Sequence, residues 1–258
     1  MNNNLIIKNC SIGYNKKRQL VNVKENINLT ISSGKLVGVI GKNGIGKSTL
    51  LKTISGIIKP LNGEILINEE NINKLSAKEL SKKVSLVLTE NIENSYLSAY
   101  DIIALGRQPY TNYLGKLNEN DANAINNAIA LTQCKEFVFN KFDELSDGQK
   151  QIVMIARAIA QDTLIIILDE PTTHLDLVNK ILILKLLKTL AHKTNKIILL
   201  STHDIELSLQ LIDKMLVITS DDIFYNSTQE IINKNILNKV FNDDNILFNP
   251  EIGTFIFT

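Results

Sequence analysis

Cysteine is nearly missing from this 258-residue chain: Cys10 and Cys134 are its only two. They lack the close spacing of a metal site and are too few for a disulfide framework, so both are read as inert thiols suited to a reducing compartment. An excess of charge of one sign is missing as well. Lys and Arg total 28 against 27 Asp and Glu, a net charge of +1, with no basic tail or run. That balance argues against a partner held through phosphate-backbone electrostatics, and no nucleic acid is expected. Long apolar runs are also absent. The most hydrophobic stretches, TLIIILDEP and KIILLSTHD, fall well short of the roughly 20 residues that cross a bilayer. The opening MNNNLIIKNC has neither a basic nor a long apolar segment and reads as a first β-strand rather than a signal peptide. A soluble chain is expected, reaching a membrane only through a partner.

What is present is core-forming material: 44 % of residues are hydrophobic, enough for a single domain with an insertion. Residues 5–8 and 25–31 are rich in apolar and β-branched types, and LNGEILI at 61–67 carries an Asn-Gly turn ahead of a strand, which suggests an antiparallel sheet near the N-terminus. LVGVI (36–40), TLIIIL (163–168) and KIILL (196–200) are continuous apolar runs, the pattern of parallel strands buried on both faces. The expected fold is α/β, a largely parallel sheet whose ligands sit at the carboxyl ends of its strands. From about 90 to 160 the character turns helical and Asn-rich, with NENDANAINNAIALTQ opened by acidic residues, and this stretch reads as a helical insertion. The tail beyond 221 mixes short strands and helices without evident chemistry.

Three stretches carry chemistry. GKNGIGKST at 41–49 follows a strand and precedes a helix-like segment. In that setting Gly41, Asn43, Gly44, Gly46, Lys47, Ser48 and Thr49 form a phosphate-binding loop, with backbone N–H groups turned inward and a helix N-terminus behind them. Lys47 would reach the β- and γ-phosphates and Ser48 would coordinate magnesium. In TLIIILDEP an apolar strand delivers Asp169 to its carboxyl end as a second magnesium ligand, and Glu170 is placed to orient or deprotonate an attacking water. KIILLSTHD ends at His203, one of only three histidines, a candidate for γ-phosphate contact and transition-state stabilisation.

GKNGIGKST, LSDGQ (145–149), LDEPTTHLD (168–176) and STHD (201–204), in that order, resemble the ATP-binding subunits of ABC transporters over almost the whole chain. The resemblance implies an ATPase acting on magnesium ATP. It also implies a head-to-tail pair of subunits, in which LSDGQ of one chain covers the γ-phosphate held by the loop of the other. Ser146, Gly148 and Gln149 would belong to that second anion site, at a helix opening near Asp147. Asp147 replaces a family glycine, and its carboxylate must point away from the phosphate or serve as the helix cap. Tyr14 matches the aromatic that stacks on adenine, and Asp176 the acid of the interface segment, with His174 structural. Thr89 stands where the family places a glutamine that contacts magnesium and senses the membrane partner, with Glu90 beside it.

DIIALGRQPYT at 101–111 resembles the corresponding region of subunits that energise import of iron-siderophores, haem or cobalamin. That likeness implies integral permease subunits as partners, an extracytoplasmic substrate-binding protein acting indirectly, and a position on the cytoplasmic face of the membrane. The local reading of the same stretch is a helix end, with Gly106 as terminator and Pro109 preventing continuation. A soluble ABC ATPase without a permease, such as a cluster-assembly factor, stays open as an alternative. A small-molecule kinase would share the phosphate loop but leave LSDGQ and LDEPTTHLD without a purpose.

Overall fold

A computed structural model describes residues 3–16, 19–88, 96–241 and 245–257. The chain opens with β1 (Asn4–Lys16) and β2 (Gln19–Ser32), paired antiparallel. β3 (Lys35–Ile40) runs through the glycine loop into α1 (Lys47–Ile54). β4 (Asn62–Ile67) and β5 (Glu70–Asn71) then complete a four-stranded sheet of order β2-β1-β4-β5. α2 (Ala77–Ser81) leads to β6 (Val84–Val87). Three helices follow: α3 (Ala99–Ala104), α4 (Glu119–Thr132) and α5 (Asp147–Ala160). Each begins in a reciprocal cap, Ser98 with Asp101, Asn118 with Asp121 and Ser146 with Gln149, which satisfies N–H groups that a helix start leaves without partners. β7 (Ile165–Leu168), α6 (Leu177–Thr194), β8 (Ile197–Ser201), α7 (Ile205–Leu211), β9 (Lys214–Ile218) and β10 (Ile223–Ser227) alternate after that. The tail adds α8 (Thr228–Asn233), α9 (Asn238–Phe241) and a hairpin of β11 (Ile246–Asn249) and β12 (Thr254–Phe257).

The second sheet has the order β10-β9-β3-β8-β7-β6, parallel from β9 to β6 and antiparallel only at β10. Its apolar runs are explained by burial on both faces. Ile165 and Ile167 face a core shared with β1, β2 and α1, whereas Ile166 and Leu168 face a core shared with α3 to α6. Leu50, Leu51 and Ile54 of α1 are fully buried in the first of these cores, each contributing about 1.5–3 kcal/mol. They anchor the helix behind the glycine loop. No helix among the described residues is long and apolar enough to cross a membrane.

Two local expectations are corrected. The Asn-Gly pair does not form a turn ahead of its strand, because β4 already begins at Asn62. Gly63, at φ 79°, lies where the β1–β4 register shifts between Lys8 and Ser11, and a Cβ there would stand 2.3 Å from the Asn9 carbonyl oxygen. The glycine serves a bulge. Gly106 likewise lacks the left-handed backbone of a helix terminator. A Cβ on it would stand 2.3 Å from the Arg157 carbonyl oxygen, so its smallness admits the close approach of α5.

Candidate active site

The loop after β3 is pressed between neighbouring strands. Gly46 caps α1 in left-handed geometry at φ 113°, and a Cβ on it would stand 2.4 Å from Val23 Cγ1 on β2. A Cβ on Gly41 would stand 2.5 Å from the Ile218 carbonyl oxygen of β9. Gly44 is left-handed as well, at φ 76°. A Cβ is thus excluded at Gly41 and Gly46, which leaves bare backbone beside the start of α1, the place where helix-dipole anion sites form, and Asn43 stands exposed there. Lys47 is buried, its Nζ donating to the carbonyls of Gly41 at 2.9 Å and Lys42 at 3.2 Å. Burial pulls its ammonium below the usual lysine range, while the carboxylates of Glu170 and Asp169 oppose the shift. Ser48 and Thr49 follow in the first turn, where the Thr49 carbonyl accepts from Thr53 Oγ1.

The two acids leave the end of β7. Asp169 is buried, and its Oδ1 accepts from Ser48 Oγ at 3.2 Å and from Ser201 Oγ at 2.6 Å. Glu170 adopts φ 52°, a conformation that costs a non-glycine residue roughly 1–3 kcal/mol and persists only where neighbours hold it. Its N–H donates to Ser201 Oγ at 2.8 Å. Glu170 Oε1 lies 2.6 Å from His203 Nε2, and Oε2 accepts from Thr173 Oγ1 at 3.2 Å. The strands β3, β8 and β7 are neighbours in the sheet, so one line of hydrogen bonds crosses their carboxyl ends from Ser48 to His203. Ser201 and Thr173 escaped the sequence reading. Ser201 does have a signal, being the one polar residue in the otherwise apolar strand IILLS.

A second cluster lies at the N-termini of α5 and α6. Ser146 caps α5 by accepting from the Gln149 N–H at 3.3 Å, while Gln149 Oε1 accepts from the Ser146 N–H at 3.0 Å. Asp147 is therefore not the cap; it stands exposed at the first helical position, where the helix dipole favours an acid. Asp176 caps α6, accepting from Asn179 N at 2.8 Å and Asn179 Nδ2 at 3.0 Å. The Asn179 amide packs over Gly148, where a Cβ would stand 2.9 Å from its Oδ1. Asn179 thus joins Gly148 to Asp176, a link that the sequence reading did not contain. Tyr14 is 42 % exposed on β1 and paired with Val21, two residues before the Val23 that covers Gly46. Thr89 and Glu90 lie outside the described residues. His174 is exposed at φ 67°. Both thiols are buried, and burial pushes Cys10 up to about 11 and raises Cys134.

The donors present suit a magnesium nucleotide. The Ser48 hydroxyl and the Asp169 carboxylate are hard oxygen ligands meeting at one point. Among the described residues no group of three or more His, Cys, Asp and Glu could hold a metal by itself. A cation here would complete its shell with phosphate oxygens and water, the usual habit of magnesium.

A glycine loop, two acids leaving the end of β7 and a separate glycine-containing helix opening define a nucleotide-hydrolysing protein of the phosphate-loop class. The ABC transporter family matches residues 24–173, and the chain belongs to that family as an ATPase cassette. It is 38 % identical to an uncharacterised ABC transporter ATP-binding protein of Methanocaldococcus jannaschii over 96 % of this chain and 84 % of that one. With the iron(3+)-hydroxamate import ATP-binding protein FhuC of Bacillus subtilis it shares 33 % identity, covering 94 % of this chain and 89 % of the relative. Among solved structures it is similar to a dimeric ATP-binding cassette in a post-hydrolysis state bound to ADP and phosphate. The TM-score there is 0.73 at 27 % identity, over 87 % of this chain and 98 % of that one.

Proposed function

We propose that this protein is the ATP-binding and ATP-hydrolysing subunit of an ABC importer for iron-siderophores or a related metal chelate such as haem or cobalamin. The observation that carries the ATPase reading is the hydrogen-bonded line Ser48–Asp169–Ser201–Glu170–His203 beside a buried Lys47. The import class rests on likeness to the iron-hydroxamate import subunit. A soluble assembly factor without a permease is not favoured by that likeness.

In this reading the loop amides and Lys47 orient the triphosphate and neutralise its charge. Ser48 and Asp169 would hold magnesium, which supplies further charge neutralisation at the phosphates. Glu170 receives a proton from the attacking water, its carboxylate being held by Thr173 on one oxygen and His203 on the other. His203 would stabilise charge at the γ-phosphate, and Tyr14 would stack on the base. Ser146, Gly148, Gln149 and Asp176 would face the nucleotide of a second copy, so two copies close around ATP and reopen after hydrolysis. The helical segment between about 90 and 160 would be an insertion in a single ATPase domain and would meet the permease. Exposed Tyr96, Leu97, Tyr113, Leu114 and Phe139 support this, because exposed apolar side chains that gather into a patch mark interaction surfaces. Leu97 and Phe139 are brought near one another by the Ser98–Lys141 bridge and the Tyr100–Phe139 stack. The protein would then sit at the cytoplasmic face of the membrane, and the cargo would be delivered by an extracytoplasmic binding protein.

Purification of the tagged chain from its native membranes in mild detergent tests the reading. A stoichiometric protein with many membrane-spanning helices is expected. A purely cytosolic chain with a soluble partner would refute import.

A further inference from the structure

We propose that Ser201 is a positioning residue whose one hydroxyl sets both acids of the site, the magnesium-holding Asp169 and the water-activating Glu170. The resemblance to known cassettes gives this serine no role; its geometry does. Ile197 to Leu200 of β8 point alternately into the two cores, and Ser201, wholly buried, ends the strand opposite Val39 of β3. A buried hydroxyl requires partners, and this one has two. An ionised carboxylate can only accept, so the single hydroxyl hydrogen goes to Asp169 Oδ1 at 2.6 Å. The Glu170 N–H must then donate to the Oγ lone pair, at 2.8 Å. The hydroxyl's one hydrogen is committed, and its direction is fixed by a donated bond on one side and an accepted bond on the other.

Two consequences follow for the chemistry. Asp169 Oδ1 also accepts from Ser48 Oγ, at the longer distance of 3.2 Å. When the Ser48 oxygen turns to a cation, the Ser201 bond keeps the carboxylate aimed. Meanwhile the Glu170 backbone is pinned at φ 52°, which directs its side chain toward His203 and Thr173. Ser85 provides an internal contrast. It is equally buried in the same sheet, but its Oγ bonds Thr163 Oγ1 and the Ile165 carbonyl, near the start of β7.

The inference rests on the proposed roles of Asp169 and Glu170, so Asp169→Asn is measured alongside Ser201→Ala, Ser201→Thr and Ser85→Ala. The readouts are kcat, the magnesium concentration giving half-maximal turnover, calorimetric ATP affinity with magnesium and with chelator, and Tm. Ser201→Ala should lower kcat about tenfold or more, equivalent to about 1.4 kcal/mol. It should also raise the magnesium requirement and weaken binding of magnesium ATP, leaving affinity in chelator unchanged. Ser201→Thr should restore these values, and Ser85→Ala should lower Tm without moving the magnesium requirement. If Ser201→Ala stays within about twofold of wild type in kcat and magnesium requirement, the proposal is overturned, as it is if Ser201→Thr with wild-type Tm fails to restore them. An unchanged magnesium requirement in Asp169→Asn instead overturns the reading of the site itself.

Discussion

Replacing Asp121 by alanine should destabilise the protein far more than an average polar substitution, and the structure sets the size. Asp121 and Arg107 form an ion pair with Nε to Oδ1 at 2.9 Å, their side chains only 1 % and 7 % exposed. Arg107 also donates from Nη1 to the Ala160 carbonyl at 2.8 Å and lies 3.9 Å from the Tyr110 ring centroid. Asp121 Oδ2 accepts from Asn118 N at 3.0 Å, closing the cap of α4. Removing the carboxylate strands a buried guanidinium, a loss of about 3–5 kcal/mol, to which the broken cap adds up to about 1 kcal/mol. Burial by itself raises the Asp121 pKa, but the Asn118 N–H and Arg107 outweigh it and hold the carboxyl below the usual range. Because the folded value is depressed, the contribution is present above the unfolded value of about 3.9 and is lost as pH falls through the lower folded value. The assay is urea unfolding of wild type, Asp121→Ala, Asp121→Leu, Arg107→Met and the Asp121→Leu, Arg107→Met double variant at neutral pH and in acid, the double being compared with the sum of its own two singles. The double variant should recover much of the single-variant loss, since an apolar pair leaves no charge unpaired. A loss below about 1 kcal/mol for Asp121→Ala, or a double variant no better than the sum of the singles, would refute the reasoning.

Glu170→Gln keeps the shape and the Thr173 contact but removes the proton acceptor. Turnover should fall by about two to four orders of magnitude, ATP binding should persist, and gel filtration with ATP should show a trapped dimer; undiminished turnover would remove Glu170 as the base. Lys47→Ala should weaken ATP binding in calorimetry. In the unaltered protein, affinity should decline with rising pH earlier than for an exposed lysine, because burial lowers the pKa at which Lys47 loses its charge.

The sheet and the phosphate loop were legible in the sequence because both depend on local pattern. A strand buried on two faces must be apolar at every position, as β7 and β8 are. A loop packed against Val23 and Ile218 needs glycine where a Cβ would collide. The cap of Ser146 with Gln149 is equally local, three residues apart, yet by sequence alone Asp147 stood as a candidate for that place. The Asn-Gly pair shows the limit of local rules: the same dipeptide that marks a turn served a bulge, because β1 approached too closely for a side chain. Gly106 was misread for the same reason, its constraint coming from α5 rather than from its own backbone angles. The sequence by itself therefore determined where the glycine loop falls, which residues line the core and where the helices lie. Only the tertiary structure decided that Ser201 should join Asp169 to Glu170, that Asn179 should cover Gly148, and that Arg107 should find Asp121. Those contacts join segments whose separation along the chain carries no periodicity, and hydrogen bonds of about 3 Å exist only once packing has fixed the elements that bear them.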